Sequence, residues 1–107
     1  MKKEKDSSES IMTSKQRSKL KSIAANLSPV TQIGKGGISD NLLKTLSEAL
    51  EAREIIKVNV LPTAEADADT MAQNAADLLG AEVVAVIGRK AIFYRRPPRD
   101  DVEHIEL

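Results

Sequence analysis

Prolines and glycines divide this sequence into segments that are each long enough for one helix or one strand and no more. The dividing residues are Pro29, the glycines at 34, 36 and 37, Pro62, Gly80, Gly88 and the Pro97-Pro98 pair. Proline interrupts a helix or strand because it lacks an N–H donor, and glycine permits the positive φ values that turns and helix ends require. The chain therefore has to fold from several short elements joined by tight connections.

Three of these segments have apolar residues at helical spacing, and two of them follow a residue that can cap a helix. Thr13 and Gln16 have the spacing of a capping box, and the residues that follow predict a helix from about Ser14 to Asn26. Ser39 is placed to cap a second helix. A third helix is predicted over roughly Asp67 to Leu79, with a glycine directly after it as a left-handed stop.

The remaining segments are short and rich in β-branched residues, which predicts strands. Strands are expected over 30–33, 56–60, 82–87 and 91–95, the last two joined as a tight hairpin by Gly88-Arg89-Lys90. Lys57 alternates with apolar residues in its strand, so it is expected to point away from the core. The order α-β-α-β-α-β-β predicts the α/β class, with a four-stranded mixed sheet packed by three helices. The patterns leave the pairing order of the strands open.

The length of 107 residues fits one domain. Residues 1–11 mix charges with serines and offer no apolar face, so we expect a disordered N-terminal tail there, a folded domain over 12–97 and an acidic C-terminal tail over 98–107. The chain has no cysteine, and no apolar run is long enough for a membrane span or a signal peptide. We therefore expect a cytoplasmic protein that does not enter a membrane.

The formal net charge is zero, yet charges of opposite sign are separated along the chain. Five basic residues and no acidic one lie between Ser10 and Ser39, and five more basic residues lie from Arg89 to Arg99. Residues 65–82 carry five acids and no base. Any single lysine of helix one is readily explained as a solvated side chain. A helix built only for solubility usually pairs such lysines with glutamates, however, so the acid-free segment favours a polyanionic partner such as RNA.

Three glycines in four positions, Gly34-Lys35-Gly36-Gly37, lie between the first strand and the second helix. One interpretation is a tight turn that needs positive φ values, although such turns usually manage with one or two glycines. The other is close approach of an anion to backbone N–H groups that no Cβ atom shields, beside the Lys35 ammonium and a helix N-terminus. The spacing fits neither a nucleotide P-loop nor a dinucleotide fingerprint, but it fits the GxxG loop with which KH domains clamp a nucleic-acid backbone.

Side chains for catalysis or metal binding are few. His104, the only histidine, lies in the acidic tail, and no metal-ligand spacing occurs. Glutamates recur every third residue in Glu48–Glu54, which a charged outer face of helix two explains. Phe93 and Tyr94 are the only aromatic residues and suit sheet packing better than base stacking. We therefore expect a protein that is not an enzyme, that needs no cofactor or metal, and that recognises RNA mainly by phosphates and shape.

Four separate motifs in the sequence resemble those of one known domain family. They are Thr13-x-Lys15-Gln16-Arg17, Pro29-Val30-x-Gln32-Ile33-Gly34-Lys35-Gly36-Gly37, Glu54-x-Ile56-Lys57-Val58, and Val86-Ile87-Gly88-Arg89 with Tyr94-Arg95. In this order they resemble the CRM domain, in particular its bacterial stand-alone (YhbY-type) members, and the resemblance covers about Met12 to Pro97. It implies an RNA-binding domain similar in fold to the C-terminal domain of translation initiation factor 3. One segment departs from the family, because Ala64–Asp69 is more acidic and alanine-rich than expected.

The resemblance also implies a function. Bacterial members associate with precursors of the large ribosomal subunit, and plant relatives serve group II intron splicing, so we expect a monomeric ribosome assembly factor that binds ribosomal RNA. The RNA-binding loop of the family corresponds here to Gly34, Lys35, Gly36 and Gly37, and its basic surface to Lys15, Arg17, Lys19, Lys21, Lys57 and Arg89. The alternative is a protein-interaction module that binds a basic partner through its acidic third helix and acidic tail.

Overall fold

Helices and strands alternate in the order that the sequence predicts. The computed structural model describes residues 12–96. Its helices are α1 (Ser14–Ala24), α2 (Asp40–Arg53) and α3 (Ala68–Leu79), and its strands are β1 (Thr31–Ile33), β2 (Ile55–Val60), β3 (Glu82–Ile87) and β4 (Lys90–Tyr94). The predicted α/β class and the α-β-α-β-α-β-β order are confirmed. The tails predicted at 1–11 and 98–107 lie outside the described residues. Within residues 12–96, no helix is long and apolar enough to span a bilayer.

Each helix begins at a side chain that satisfies a backbone N–H group of its first turn. The Thr13 hydroxyl accepts from the N–H of Gln16 at 3.1 Å, and the Gln16 side-chain oxygen accepts from the N–H of Thr13 at 2.9 Å, which completes the predicted capping box. Ser39 and Asp67 cap α2 and α3. The backbone N–H of Thr70 donates to the Asp67 carboxylate, and this hydrogen bond holds the pKa of Asp67 below its usual value.

The helix ends differ in how far local sequence explains them. Gly80 has a φ of 66° and ends α3 as predicted. α1 stops at Ala24, before the predicted Asn26, where the N–H of Leu27 donates to the carbonyl of Ala24 at 3.0 Å. α2 ends at Glu54, which has a φ of 71° although it is not a glycine. Only contacts with the rest of the fold can hold a glutamate in that strained conformation.

The four strands form one mixed sheet in the order β1-β2-β4-β3. β1 pairs with β2 in parallel, whereas β2 with β4 and β3 with β4 are antiparallel. Ile87 and Lys90 are paired, so the hairpin turn contains only Gly88 and Arg89, and Lys90 belongs to β4 and not to the turn as predicted. Gly88 has the expected positive φ, 62°, at the first turn position, which is the pattern of a type II′ turn.

Helices cover both faces of this sheet. α2 and α3 pack on one face around the main core, whose largest side chains include Phe93, Leu46 and Ile56. α1 packs on the other face, where Leu20 and Ala24 belong to a second cluster with the buried residues Ile55, Val84 and Ile92. Lys57 therefore points away from the main core as predicted, but it shares its sheet face with Ile55, which is only 4% exposed beneath α1.

Glu54 does not belong to a charged outer face of α2, and that part of the prediction is wrong. Glu54 is only 3% exposed, and it directly follows Arg53, the last residue of α2. The Tyr94 hydroxyl donates to its carboxylate at 3.0 Å, and its carbonyl accepts from the N–H of Arg95 at 3.0 Å. Burial of the Tyr94 side chain raises its pKa, and the hydrogen bond to Glu54 is the second cause of this rise. Glu54 thus fastens the end of β4 to the end of α2.

Candidate nucleic-acid interface

The three clustered glycines form a tight turn between β1 and α2, which we call the GxxG turn (Gly34–Gly37). The N–H of Gly37 donates to the carbonyl of Gly34 at 2.9 Å, so Lys35 and Gly36 occupy the two central positions and are both exposed. The N–H of Gly37 is consequently occupied by the turn itself. No hydrogen bond within residues 12–96 uses the N–H of Lys35 or of Gly36. Among residues 35–37 of the turn, the N–H groups of Lys35 and Gly36 are therefore the ones left for contact with an anion.

Two glycines of the turn have different structural reasons, and the third has none within the described residues. Gly37 has a φ of 69°, where a side chain would strain the backbone. A Cβ atom on Gly34 would lie 3.0 Å from Cδ1 of Leu61, so close packing explains this glycine. Gly36 does not have a positive φ, and a Cβ atom there would meet no atom within 4 Å. A positive φ and close packing thus explain two of the three glycines and leave Gly36 unexplained.

An open cleft of about 550 Å³ adjoins the turn. Its lining residues are Gln32, Gly34, Lys35, Gly36, Gly37, Ser39, Asn41, Leu42, Thr45 and Leu61. Lys35 supplies a positive charge, no lining residue is acidic, and the N-terminus of α2 adds the partial positive charge of its free amides. Asp40 follows the cap but does not line the cleft. The cleft beside the GxxG turn is therefore open to solvent and positively charged, as the binding of an anion requires.

Arg89 lies at the same end of the sheet as the GxxG turn. Ile33, the residue before the turn, pairs with Val60, and the carbonyl of Arg89 accepts from the N–H of Val60 at 2.7 Å. Two strand spacings, about 10 Å, therefore separate the turn from the hairpin tip. Lys57 lies further back on β2, half-buried on the face that α1 shares. The fold thus brings together basic residues that are distant in sequence.

The basic residues of α1 divide into two kinds. Lys15, Lys19 and Lys21 are exposed, and none forms an ion pair within the described part of the chain. Arg17 is half-buried, and its Nη1 donates to the carbonyls of Val83 at 2.8 Å and Val84 at 2.7 Å. A register irregularity between Val83 and Ala85 interrupts the ladder there, and such bulges leave backbone groups without a strand partner. Sequence periodicity placed Arg17 on a positive flank and could not reveal these carbonyls.

Arg95 and the two aromatic residues are occupied within the fold. The Arg95 guanidinium donates to the carbonyls of Leu79 at 2.8 Å and Ser47 at 3.1 Å, and it pairs with Glu51 at 3.4 Å. Phe93 is fully buried, and Tyr94 is bonded to Glu54. The expectation that both aromatic side chains serve packing fits these contacts. The motif Tyr94-Arg95 is structural in this molecule.

The described residues include no cluster of histidine, cysteine, aspartate and glutamate side chains that could hold a metal ion. His104 lies outside them. Sequence reasoning named Gln32 only within a family motif and Lys90 only within a turn, and it did not assign either to the site beside which the fold places them. Their position follows from strand register, for which the sequence contains no direct signal.

Comparison with known proteins identifies relatives along nearly the whole described range. A family model described as the CRS1/YhbY (CRM) domain matches residues 12–95. "Probable RNA-binding protein YqeI" of Bacillus subtilis is 41% identical over 97 residues, which cover 91% of this chain and 99% of that protein. A "Probable RNA-binding protein" of Pseudomonas aeruginosa is 28% identical over 82% of this chain and 85% of its own length. A Staphylococcus aureus protein whose solution structure is described as that of "a putative RNA binding protein" has a TM-score of 0.71 and 38% identity, over 85% of this chain and 95% of that one.

Proposed function

Because the chain belongs to the CRS1/YhbY (CRM) domain family, we propose that it binds RNA by placing a backbone phosphate against the GxxG turn. The relatives from B. subtilis and P. aeruginosa both carry the name "Probable RNA-binding protein", and neither is named as an enzyme. Within this chain the proposal depends on one observation, which is that Gly36 has neither a positive φ nor a close neighbour. A ligand that comes within contact distance of the backbone supplies the missing reason for a glycine there.

The charges around the turn support the same proposal. The predicted cations Lys15, Lys19, Lys21, Lys35, Lys57 and Arg89 are all exposed or half-buried, and none of them forms an ion pair within residues 12–96. Polyanions neutralise such cations and release condensed counterions, which drives binding and makes it dependent on salt. Arg17 contributes mainly by position, because its hydrogen bonds to β3 hold α1 and its lysines on the sheet.

We further propose that the ligand is structured ribosomal RNA in precursors of the large ribosomal subunit, bound by a monomeric assembly factor in the cytoplasm. The family resemblance described above suggests this RNA. Phe93 is buried and Tyr94 is bonded to Glu54, so residues 12–96 offer no free aromatic side chain on which to stack bases. Recognition then relies on phosphates and shape, which structured RNA presents. Crosslinking in cells, followed by mapping of the contacted nucleotides, tests this assignment.

Reversing one charge at the turn tests phosphate binding directly. Lys35→Glu should retain the fold, since Lys35 is exposed and makes no described contact, but should bind a ribosomal RNA fragment more weakly. Arg53→Glu is the matched control: it changes the charge equally, at an exposed residue at the opposite end of α2, about 20 Å along the helix. Equal affinities for the two variants would contradict a role for the turn. Wild-type affinity should also fall with rising salt, and a flat salt response would exclude the electrostatic mechanism.

A second candidate function, binding of a basic protein, is favoured by the outer face of α3. Leu78 is 64% exposed there. It lines an open cleft of about 490 Å³ together with Met71 and the acidic residues Glu65 and Asp77. The acidic tail that the sequence adds to this interpretation lies outside the described residues. Asp77→Lys should abolish binding of a lysine-rich ribosomal protein without changing RNA affinity, and unchanged protein binding would contradict this second function.

A further inference from the structure

One row of residues remains open on the sheet face that α1 partly covers. Strand register places Gln32 beside Asn59, Asn59 beside Lys90, and Lys90 beside Ile87. Residues paired in this way share one face of a sheet. The row therefore crosses all four strands and spans about 14 Å at roughly 4.8 Å per strand spacing. We call these four residues the sheet row.

The sheet row lies between α1 and the end of the sheet that carries the GxxG turn. α1 covers the other half of this face, where Ile55, Val84 and Ile92 are buried beneath it. In the sheet row, Gln32 and Lys90 are exposed, Asn59 is half-buried and Ile87 is 57% exposed. Ile87 is one of only two large apolar residues that the described part of the chain exposes. The sheet row is thus the part of this face that α1 leaves uncovered.

The polar groups of the sheet row have no partners inside the described structure. No hydrogen bond within residues 12–96 uses the side-chain amide of Gln32 or Asn59, and Lys90 forms no ion pair there. Each amide offers both a donor and an acceptor, which is the combination that the edge of a nucleotide base presents in return. Asparagine is also disfavoured in strands, and Asn59 lies in β2, an interior strand of the sheet. No contact within the described residues explains why an amide side chain occupies position 59.

We infer that the sheet row binds unstacked nucleotide bases of the RNA strand whose phosphate lies at the GxxG turn. This inference rests on the proposed function and adds a base-reading element to it. The amides of Gln32 and Asn59 hydrogen-bond to base edges, Ile87 contacts the face of a base or ribose, and Lys90 binds a neighbouring phosphate. The sequence alone predicts recognition by phosphate and shape, and the sheet row adds a local preference for particular bases.

Continuity and charge favour RNA over protein as the occupant of the sheet row. Gln32 also lines the cleft beside the GxxG turn, so a strand that leaves the turn passes directly onto the row. Arg89 lies at the hairpin tip next to Lys90 and Ile87, and Lys57 lies two residues before Asn59. None of the residues in or directly flanking the row is acidic. A polyanionic strand meets positive charge along this whole path.

A double substitution that removes both amides tests the inference. Gln32→Ala combined with Asn59→Ala should be compared with wild type for binding to short single-stranded homopolymers of A, C and U, at several salt concentrations. We expect wild type to prefer one homopolymer and the double variant to bind that one about five-fold or more weakly, with its preference lost. The dependence of affinity on salt should stay the same, because the substitutions remove no cation.

Two controls keep the result interpretable. Asn74→Ala removes an exposed amide from α3, away from the sheet row, and should leave all affinities unchanged. Gln32→Ala alone changes only the edge strand β1, so it tests the row even if the double variant unfolds, as thermal denaturation would show.

Other outcomes would overturn the inference in distinguishable ways. Equal binding of the three homopolymers by wild type, or unchanged affinities in the double variant, would remove base reading while leaving the proposed function intact if Lys35→Glu still weakens binding. A uniform loss with a shallower salt dependence would make the sheet row only part of the charged surface. Absence of RNA binding in wild type, with capture of a polypeptide that the double variant loses, would overturn both the inference and the proposed function.

Discussion

Replacing Gly36 with alanine should strengthen the fold and weaken RNA binding at the same time. A Cβ atom at Gly36 would meet no atom within 4 Å, and the backbone there does not have a positive φ. Alanine fits such a site without strain and reduces the freedom of the unfolded chain, an effect of about 0.4–1 kcal/mol. The free energy of unfolding of Gly36→Ala should therefore exceed that of wild type by roughly this amount.

The same methyl group occupies the space through which a phosphate has to approach. The N–H groups of Lys35 and Gly36 have no hydrogen-bond acceptor within the described residues. A hydrogen bond from such a group to a charged oxygen contributes about 1.5–3 kcal/mol. If the methyl group prevents one such bond, RNA binding should weaken by roughly ten- to hundred-fold.

Gly80→Ala provides the opposite pattern and serves as the control. A Cβ atom at Gly80 also meets no atom within 4 Å, but its φ is 66°, so alanine there should cost about 1–2 kcal/mol of stability and leave RNA affinity unchanged. Urea denaturation followed by circular dichroism gives the stabilities, and fluorescence anisotropy at one fixed salt concentration gives the affinities. Wild-type affinity in Gly36→Ala would refute close approach of the phosphate. A stability loss in Gly36→Ala would contradict the described turn conformation.

Three further predictions concern the contacts that support the interface. Arg17→Ala should lower the free energy of unfolding by about 1–3 kcal/mol, because the carbonyls of Val83 and Val84 lose their donor. Lys19→Ala should change it by less than about 0.5 kcal/mol and should reduce the logarithmic salt slope of RNA binding by about one. Denaturation and salt titration separate the two variants, and equal effects would contradict the structure. Tyr94 is the only tyrosine, so phenolate absorbance reports its titration alone, and the midpoint should lie above 10.0 and move down in Glu54→Gln. Because the pKa of Tyr94 is higher in the folded than in the unfolded chain, its contribution to stability is present below the unfolded pKa. The free energy of unfolding should therefore fall as pH rises through the midpoint. The pKa of Asp67 is lowered in the folded chain, so the stability that its charge provides is present above the usual pKa of 3.8 and is lost as pH falls through the folded-state pKa. The stability advantage of wild type over Asp67→Asn should therefore shrink on acidification. A constant difference would contradict the hydrogen bond from Thr70 to the Asp67 carboxylate.

Sequence patterns predicted the features that neighbouring residues determine. The capping box of Thr13 and Gln16 and the left-handed Gly80 depend on residues within a single turn, so their signals survive in the sequence. The positive φ of Gly88 and the order of the elements were predictable for the same reason. The GxxG turn was recognised, but the different reason for each of its glycines required the positions of Leu61 and of the backbone.

Features that depend on distant residues could not be predicted. The strand order β1-β2-β4-β3 and the placement of α1 on the second face both follow from long-range pairing. Arg17 and Glu54 looked like solvent-exposed charges in the sequence, yet each is bonded to groups at least 40 positions away. The sheet row emerges only when the register of all four strands is known. Local pattern therefore identified the loop of the candidate site, and tertiary structure supplied its surroundings.

The separation of the apolar interior into two clusters has a consequence for cooperativity. The cluster beneath α1 contains five buried residues, compared with fourteen between the sheet and the other two helices. α1 should thus be the first unit to open in native-state hydrogen exchange, while the remainder stays protected. RNA that contacts both α1 and the sheet would oppose this local opening. Bound RNA should therefore slow amide exchange in α1 more than anywhere else in the domain.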